Sequence, residues 1–352
     1  MTNVSTVSEN SQTPAISETS MQTRPTLLLI NLGTPEAPTP SAIRTFLREF
    51  LSDPRVVEMR PLLWKMILET FILPFRPRMI APQYRSIWTE DGSPLMRGTQ
   101  EQAEQLQRIF GEQLNIRIAM RYGNPSIKDE LTRIYNAGCR KVLILSAYPQ
   151  YAASTVGTVY DEVARWALSA RDQMEIRTIR SFQGASEYIE ALAQAIEAHW
   201  QEHGRPHFDA GDRLILSFHS IPVAMRDLGD PYPSECEETY DLLAERLRLP
   251  REAIMRTYQS VFGRAEWVGP ATIDTVKELG CTYKGRLDVI CPGFMADCLE
   301  TLEEINELNR QAFYEAGGTE FHYIPWGNGS KGAVATLAEQ IRQGTAGWLN
   351  NK

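Results

Sequence analysis

The sequence predicts an α/β protein made of two doubly wound parallel-sheet domains. Three observations predict it. The strands read as continuous apolar runs, such as TLLLINL from Thr26 and LILSF from Leu214, as expected when helices cover both faces of a parallel sheet. These runs alternate with helical stretches of ten or more residues, the pattern of βαβ units. The second half then repeats the plan of the first, although no tandem repeat shows at the residue level.

Taken in order, the run from Thr26 ends at Gly33-Thr34-Pro35, and a helix is expected over 41–52 with Ser41 as its N-cap. Residues 116–123 form the next strand. Asn124 is expected to cap the following helix, with Pro125 in its first position and Gly138 closing it. A strand from Lys141 runs into the Tyr148-Pro149 turn, and a helix follows over 155–170. In the second half, 186–203 is helical, Leu214 to Phe218 is a strand, and 234–249 is helical up to Pro250. Residues 255–261 form a strand and 270–280 a helix opened by Pro270. The strand from Leu287 then leads into a long helix over 296–316, closed by Gly317-Gly318.

Composition narrows the function. The 352 residues suffice for two domains, and 43% hydrophobic with 23% charged residues marks an ordinary globular chain. A net charge of −8 gives no basic excess to displace counterions, so nucleic acid is not expected as a partner. The 5 cysteines (Cys139, Cys236, Cys281, Cys291, Cys298) form no C-x-x-C pair, which fits reduced thiols in a cytosol. No apolar run is long enough to span a bilayer. The Ser/Thr-rich segment 1–24 reads as a disordered tail rather than a secretory signal.

Open parallel sheets bind ligands beyond the C-terminal ends of their strands. His219 sits at such an end, in LILSFHSIP. After the strand from Leu287, a helix opens with Asp297, Glu300, Glu303 and Glu304. On an α-helix, Asp297, Glu300, Glu304 and Glu307 share one face, with Leu299, Leu302, Ile305 and Leu308 opposite. An imidazole beside carboxylates can hold a metal such as Fe(II), or move protons near neutral pH. Phosphate-loop, dinucleotide and hydrolase-elbow motifs are absent. Arg121-Tyr122 and Tyr148 end strands of the first half. Pro61-LLWKMILETFIL-Pro74 is either a core helix or an exposed apolar lip, and Phe75-Arg76-Pro77-Arg78 follows it.

These stretches resemble the ferrochelatase family, in its Gram-negative bacterial branch. SFHSIP followed by LGDPYP is the main signature. LLINLGTPE, FLSDPRVV, QYRSIW with GSPL, MRYGNPSI, AYPQYAASTVG, YQSVFGRAEWVGP and CPGFMADCLETLEEI support it, over roughly Leu27 to Trp326. The resemblance implies two Rossmann-like domains with a cleft between them, divided here as 25–175 (including a lip over 61–80) and 176–318. Segment 319–352 is expected to pack back on the first domain.

The resemblance also implies insertion of ferrous iron into protoporphyrin IX, the terminal step of haem synthesis. His219 and Glu300 would be the essential pair, as catalytic groups and metal ligands, with Asp297 and Glu304 as an acidic relay. Arg121, Tyr122 and Tyr148 would line the porphyrin pocket, joined by Leu63 and Arg76 from the lip. Fe(II) enters as substrate, with no tightly bound cofactor. The protein is expected in the cytoplasm, touching the inner membrane peripherally and receiving porphyrin by contact with the preceding porphyrin-producing enzyme. The sequence departs from cluster-bearing relatives: Ala153 stands at their cysteine position and no cysteine follows Trp326, so no [2Fe-2S] cluster is expected. Cys298 replaces a histidine of some relatives. Alternatives are a coproporphyrin or cobalt chelatase, a non-catalytic porphyrin- or haem-binding protein, and a membrane-peripheral scaffold.

Overall fold

A computed structural model describes residues 24–263, 265–283 and 285–349. The tail expected over 1–24 lies outside them, apart from Arg24. The first half contains β1 (Thr26–Gly33), α1 (Pro40–Leu51), α2 (Pro61–Ile67), α3 (Arg76–Ile87), α4 (Pro94–Phe110) and β2 (Asn115–Tyr122). It continues with α5 (Ile127–Asn136), β3 (Lys141–Ser146), α6 (Thr158–Ser169) and β4 (Glu175–Ile179). The second half contains α7 (Ser186–His203), β5 (Arg213–His219), α8 (Val223–Asp227), α9 (Tyr232–Leu247) and β6 (Ile254–Gln259). Then come α10 (Thr272–Thr282), β7 (Arg286–Ile290), α11 (Arg310–Glu315), β8 (Glu320–Ile324) and α12 (Lys331–Gly344). Segments Leu68–Ile72, Ala153–Gly157 and Glu300–Asn309 are π-helical.

Each half holds a four-stranded parallel sheet, in the orders β2-β1-β3-β4 and β6-β5-β7-β8. The two orders are the same, and in each the chain reverses direction beside the first strand, between β1 and β3 or β5 and β7. Such a reversal opens a crevice at the strand ends.

The apolar runs explain the layers. Leu27 and Leu29 of β1 face one cluster, which also takes Leu214, Leu216 and Phe218 of β5 and residues of α4, α7, α9 and α12. Leu28 and Ile30 face a second cluster with α5 and α6, as alternation along a strand requires. Ile215 and Val289 face a third with α10 and α11. The halves therefore share one core. α12 packs so closely on α7 that a Cβ at Gly332 would lie 2.8 Å from the Cβ of Ala191.

Several expectations need correction. Thr39, not Ser41, caps α1, its hydroxyl accepting the Ala42 N–H at 3.4 Å. Ser126 caps α5, with its Oγ 3.1 Å from the Asp129 nitrogen, and Asn124-Pro125 stay outside. The first sheet extends to Ile179, past the boundary expected at 175. Segment 319–352 divides: β8 joins the second sheet, and α12 returns to α7, α4 and strands β3 and β4. The helix expected over 296–316 is π-helical for half its length.

The lip has two sides. α2 buries none of its residues, and Leu62, Leu63, Met66, Phe71, Phe75 and Met79 are exposed. Leu68 and Leu73 instead complete a small core with Ile43, Phe46, Leu47 and Leu51 of α1. Among the described residues, no helix is long and apolar enough to cross a membrane.

Candidate active site

His219 is the last residue of β5 and is partly buried. Its Nδ1 lies 2.6 Å from the Ser220 carbonyl oxygen. A proton on Nδ1 is donated there, which leaves the lone pair on Nε2. In register beside His219 stands Gln259, the last residue of β6. The Gln259 Nε2 donates to the Glu300 carbonyl at 2.7 Å, and its Oε1 accepts from Ser217 at 2.8 Å. Ser260 follows at φ +63°, a region that side chains other than glycine's rarely adopt. That conformation lets its N–H and its hydroxyl both donate to the Glu304 carboxylate, each at 2.6 Å.

Two side chains bond to the backbone at the ends of the segment Glu300–Asn309. The Asn309 Nδ2 donates to the Glu304 carbonyl at 2.7 Å, and the Thr301 hydroxyl bonds within the first turn to the Cys298 nitrogen at 3.0 Å. The wider π turn changes which acids point inward. Glu303 is buried and Glu304 partly buried, while Glu307 and Leu308 are exposed. The single acidic face expected for Asp297, Glu300, Glu304 and Glu307 is therefore not formed.

Burial raises the Glu304 pKa. The two Ser260 donors and the nearby His219 work against that rise, and Glu300 adds to it. Glu303 is raised by burial too, and further by its neighbouring carboxylates, against the Gln83 amide. Such carboxyls hold a proton above the ordinary carboxylate range. Asp297 plays a different part. Its carboxylate accepts from Tyr323 at 2.6 Å, Asn328 at 2.7 Å and Thr301 at 2.9 Å, which fastens the turn before Glu300.

The facing wall belongs to the first half. Tyr148 follows β3, and its hydroxyl is sealed from solvent without a hydrogen-bond partner. Burial, with Tyr122, Cys298 and Glu300 nearby, raises its pKa well above the usual phenol value. Tyr84 of α3 is raised by burial and by the same Glu300 and Cys298. Both phenols therefore surround Glu300.

Arg121 and Tyr122 are held elsewhere. Arg121 pairs with buried Asp53 at 2.5 Å and donates to the Thr158 hydroxyl at 2.8 Å. The Tyr122 hydroxyl donates to the same carboxylate at 3.0 Å. They shape the wall, with the Arg121 charge paired to Asp53. Leu63 is exposed on the outer side of the lip.

Two contacts join the lip to the second half. Gln83 donates to Glu303 at 2.8 Å, and the Arg76 guanidinium stands 5.3 Å from the centre of the Phe262 ring. A third link uses Asp230 of LGDPYP, which accepts the Ala153 N–H at 2.8 Å. A polar depression of about 430 Å³ between Gly184, Glu238 and Gln340 holds none of these groups. Gln83 and Tyr84 lie in QYRSIW, and Gln259, Ser260 and Phe262 in YQSVFGRAEWVGP, without a local pattern that marks them as site residues, apart from the polar Gln-Ser pair at the end of an apolar strand.

The paired sheets define a chelatase fold. The chain superposes on "SirB from Bacillus subtilis with Fe3+" with TM-score 0.56 and 12% identity, covering 92% of this chain and 96% of that one. It superposes on the sirohydrochlorin chelatase SirB from Bacillus subtilis subspecies spizizenii, in complex with cobalt, with TM-score 0.53 and 10% identity, covering 92% and 96%. At those identities the likeness is one of fold. The family is settled by sequence: the Ferrochelatase family model matches residues 24–345, and the chain belongs to that family of metal-inserting chelatases.

Proposed function

We propose that this chelatase inserts Fe(II) into protoporphyrin IX. The observation that carries the proposal is the nearness of Glu304 to His219 and Glu300, and of Glu300 to the partnerless Tyr148 hydroxyl of the other half. A porphyrin is a flat apolar disc. It suits a site with aromatic and aliphatic walls and few polar groups. Tyr84, Tyr148 and the lip supply such walls.

Metal insertion removes two N–H protons from the ring and places one Fe(II) on its four nitrogens. The His219 lone pair on Nε2 can present the metal or take the first proton. Glu304 and Glu303, held ready to bind protons by burial, can carry protons away along the π segment. The two Ser260 donors oppose the rise that burial imposes on Glu304. The exposed Leu62, Met66, Phe71, Phe75 and Met79 give the lip a surface for a membrane from which an apolar porphyrin can be drawn.

A second reading is a chelatase for a more anionic tetrapyrrole, such as coproporphyrin, or for cobalt. The exposed apolar side chains of the lip favour the less charged ring. Anaerobic titrations with protoporphyrin and coproporphyrin, each against Fe(II) and Co(II), test this. The proposal expects the highest kcat/KM for protoporphyrin with Fe(II). Faster coproporphyrin metallation, or binding of porphyrin without metallation, contradicts it.

A further inference from the structure

Three of the protein's 5 histidines gather far from His219. His199 and His203 lie one turn apart at the end of α7, the spacing with which a helix offers two imidazoles to one ion. His322 comes from β8, the edge strand of the second sheet. One ring nitrogen from each residue lies within 4.8 Å of the others. The ring centres are 4.2, 4.9 and 5.1 Å apart.

Their hydrogen bonds are those of ligands waiting for a metal. A ligating histidine usually gives its other nitrogen to a carboxylate or a backbone carbonyl. The His322 Nε2 lies 2.6 Å from Glu320, and the His203 Nδ1 lies 3.2 Å from the His199 carbonyl. The His199 Nε2 is buried with no partner at all, a costly state for a polar atom. Arg286, the cation beside the cluster, is bound to Asp288 at 2.7 and 3.1 Å, with one further nitrogen 3.5 Å from Glu320. It therefore puts little unpaired positive charge near an incoming ion. In a tetrahedral site the nitrogens would be about 3.3 Å apart, so the set, now within 4.8 Å, closes by small side-chain movements.

We propose that His199, His203 and His322 bind a divalent transition-metal ion of borderline softness, such as zinc(II), cobalt(II) or nickel(II), which fastens the end of α7 to β8. Three imidazoles with a solvent-facing fourth position suit these ions better than calcium or magnesium, which prefer oxygen. The site is separate from the candidate active site. His322 pairs with Asp288, which pairs with Leu214. Leu214 lies five residues before His219, or about 17 Å along the sheet at ~3.3 Å per residue.

Cobalt(II) absorption tests the proposal without relying on activity. The full chain carrying His219→Ala and Glu300→Ala is stripped with chelator and titrated with cobalt(II). The expected result is one tightly held equivalent with visible bands, displaced by zinc(II), and a rise in Tm on loading. Adding His203→Ala or His322→Ala should abolish the bands and the rise; His203 is exposed, so its loss should leave the unloaded circular dichroism spectrum unchanged. Cobalt binding that survives both substitutions, or no bound cobalt in the starting double variant, overturns the proposal.

Discussion

The two halves share one sheet order, and two of their carboxylates, Asp53 and Glu304, are shifted in opposite directions. In the first half, Asp53 collects donors. Burial alone would raise its pKa, but the Thr158 hydroxyl, the Arg55 N–H, Arg121 and Tyr122 together bring it below the usual aspartate value. In the second half, Glu304 has two donors from Ser260 and a nearby imidazole, and burial with the Glu300 charge still leaves it raised. One carboxylate is locked in its charged form as part of a wall. The other is shifted toward its protonated form. The same topology thus carries two carboxylates shifted in opposite directions, and the difference lies in the donors packed around each.

The largest expected effect falls on the wall. Asp53→Ala leaves Arg121 buried without its partner, with a side chain only 9% exposed. It should destabilise the fold by about 3–5 kcal/mol, measurable by denaturant unfolding at neutral pH. The pH dependence has a definite sign. Because the folded pKa of Asp53 is depressed, its contribution is present above the ordinary aspartate range and is lost as pH falls through the folded value. Glu304 acts the other way: its contribution is present at low pH and is lost as pH rises through its raised folded value.

A smaller effect sharpens the contrast. Ser260→Ala removes one of the two donors to Glu304 and keeps the backbone N–H. The Glu304 pKa should rise further, and the acidic limb of the metallation rate profile should move to higher pH by about one pH unit. A profile that does not move would remove Glu304 from the proton path. The smallest effect concerns the lip. Phe75→Ser takes an exposed apolar side chain from its surface and should weaken association with lipid vesicles about tenfold. Metallation of detergent-solubilised porphyrin should stay close to the wild-type rate.

The parts of the fold legible in the sequence were those with a strong local signature. β1, β3 and β5 stand out because both faces are buried, and the position of His219 at a strand end follows from the apolar run that stops there. β4 and β8 escaped because their residues are mostly half-buried or exposed. α4 was missed because its apolar positions are widely spaced among glutamines and arginines. The acidic segment is legible in the sequence, but its geometry is not, since nothing in the apolar periodicity marks a π-helical stretch. Periodicity also could not show that Asp297 is spent on Tyr323 and Asn328, or that Arg121 finds Asp53 across 68 residues of chain.

The central claim is that His219 and Glu300 are the metal-inserting pair between the two halves. Its most direct test is a single-turnover experiment. The enzyme is loaded with protoporphyrin and mixed anaerobically with Fe(II), or with Zn(II) as surrogate, while porphyrin absorbance is followed in the wild type, His219→Ala and Glu300→Ala. The account predicts similar porphyrin binding in all three and a metallation rate at least about a hundredfold lower in both variants. Wild-type metallation in either variant would contradict it.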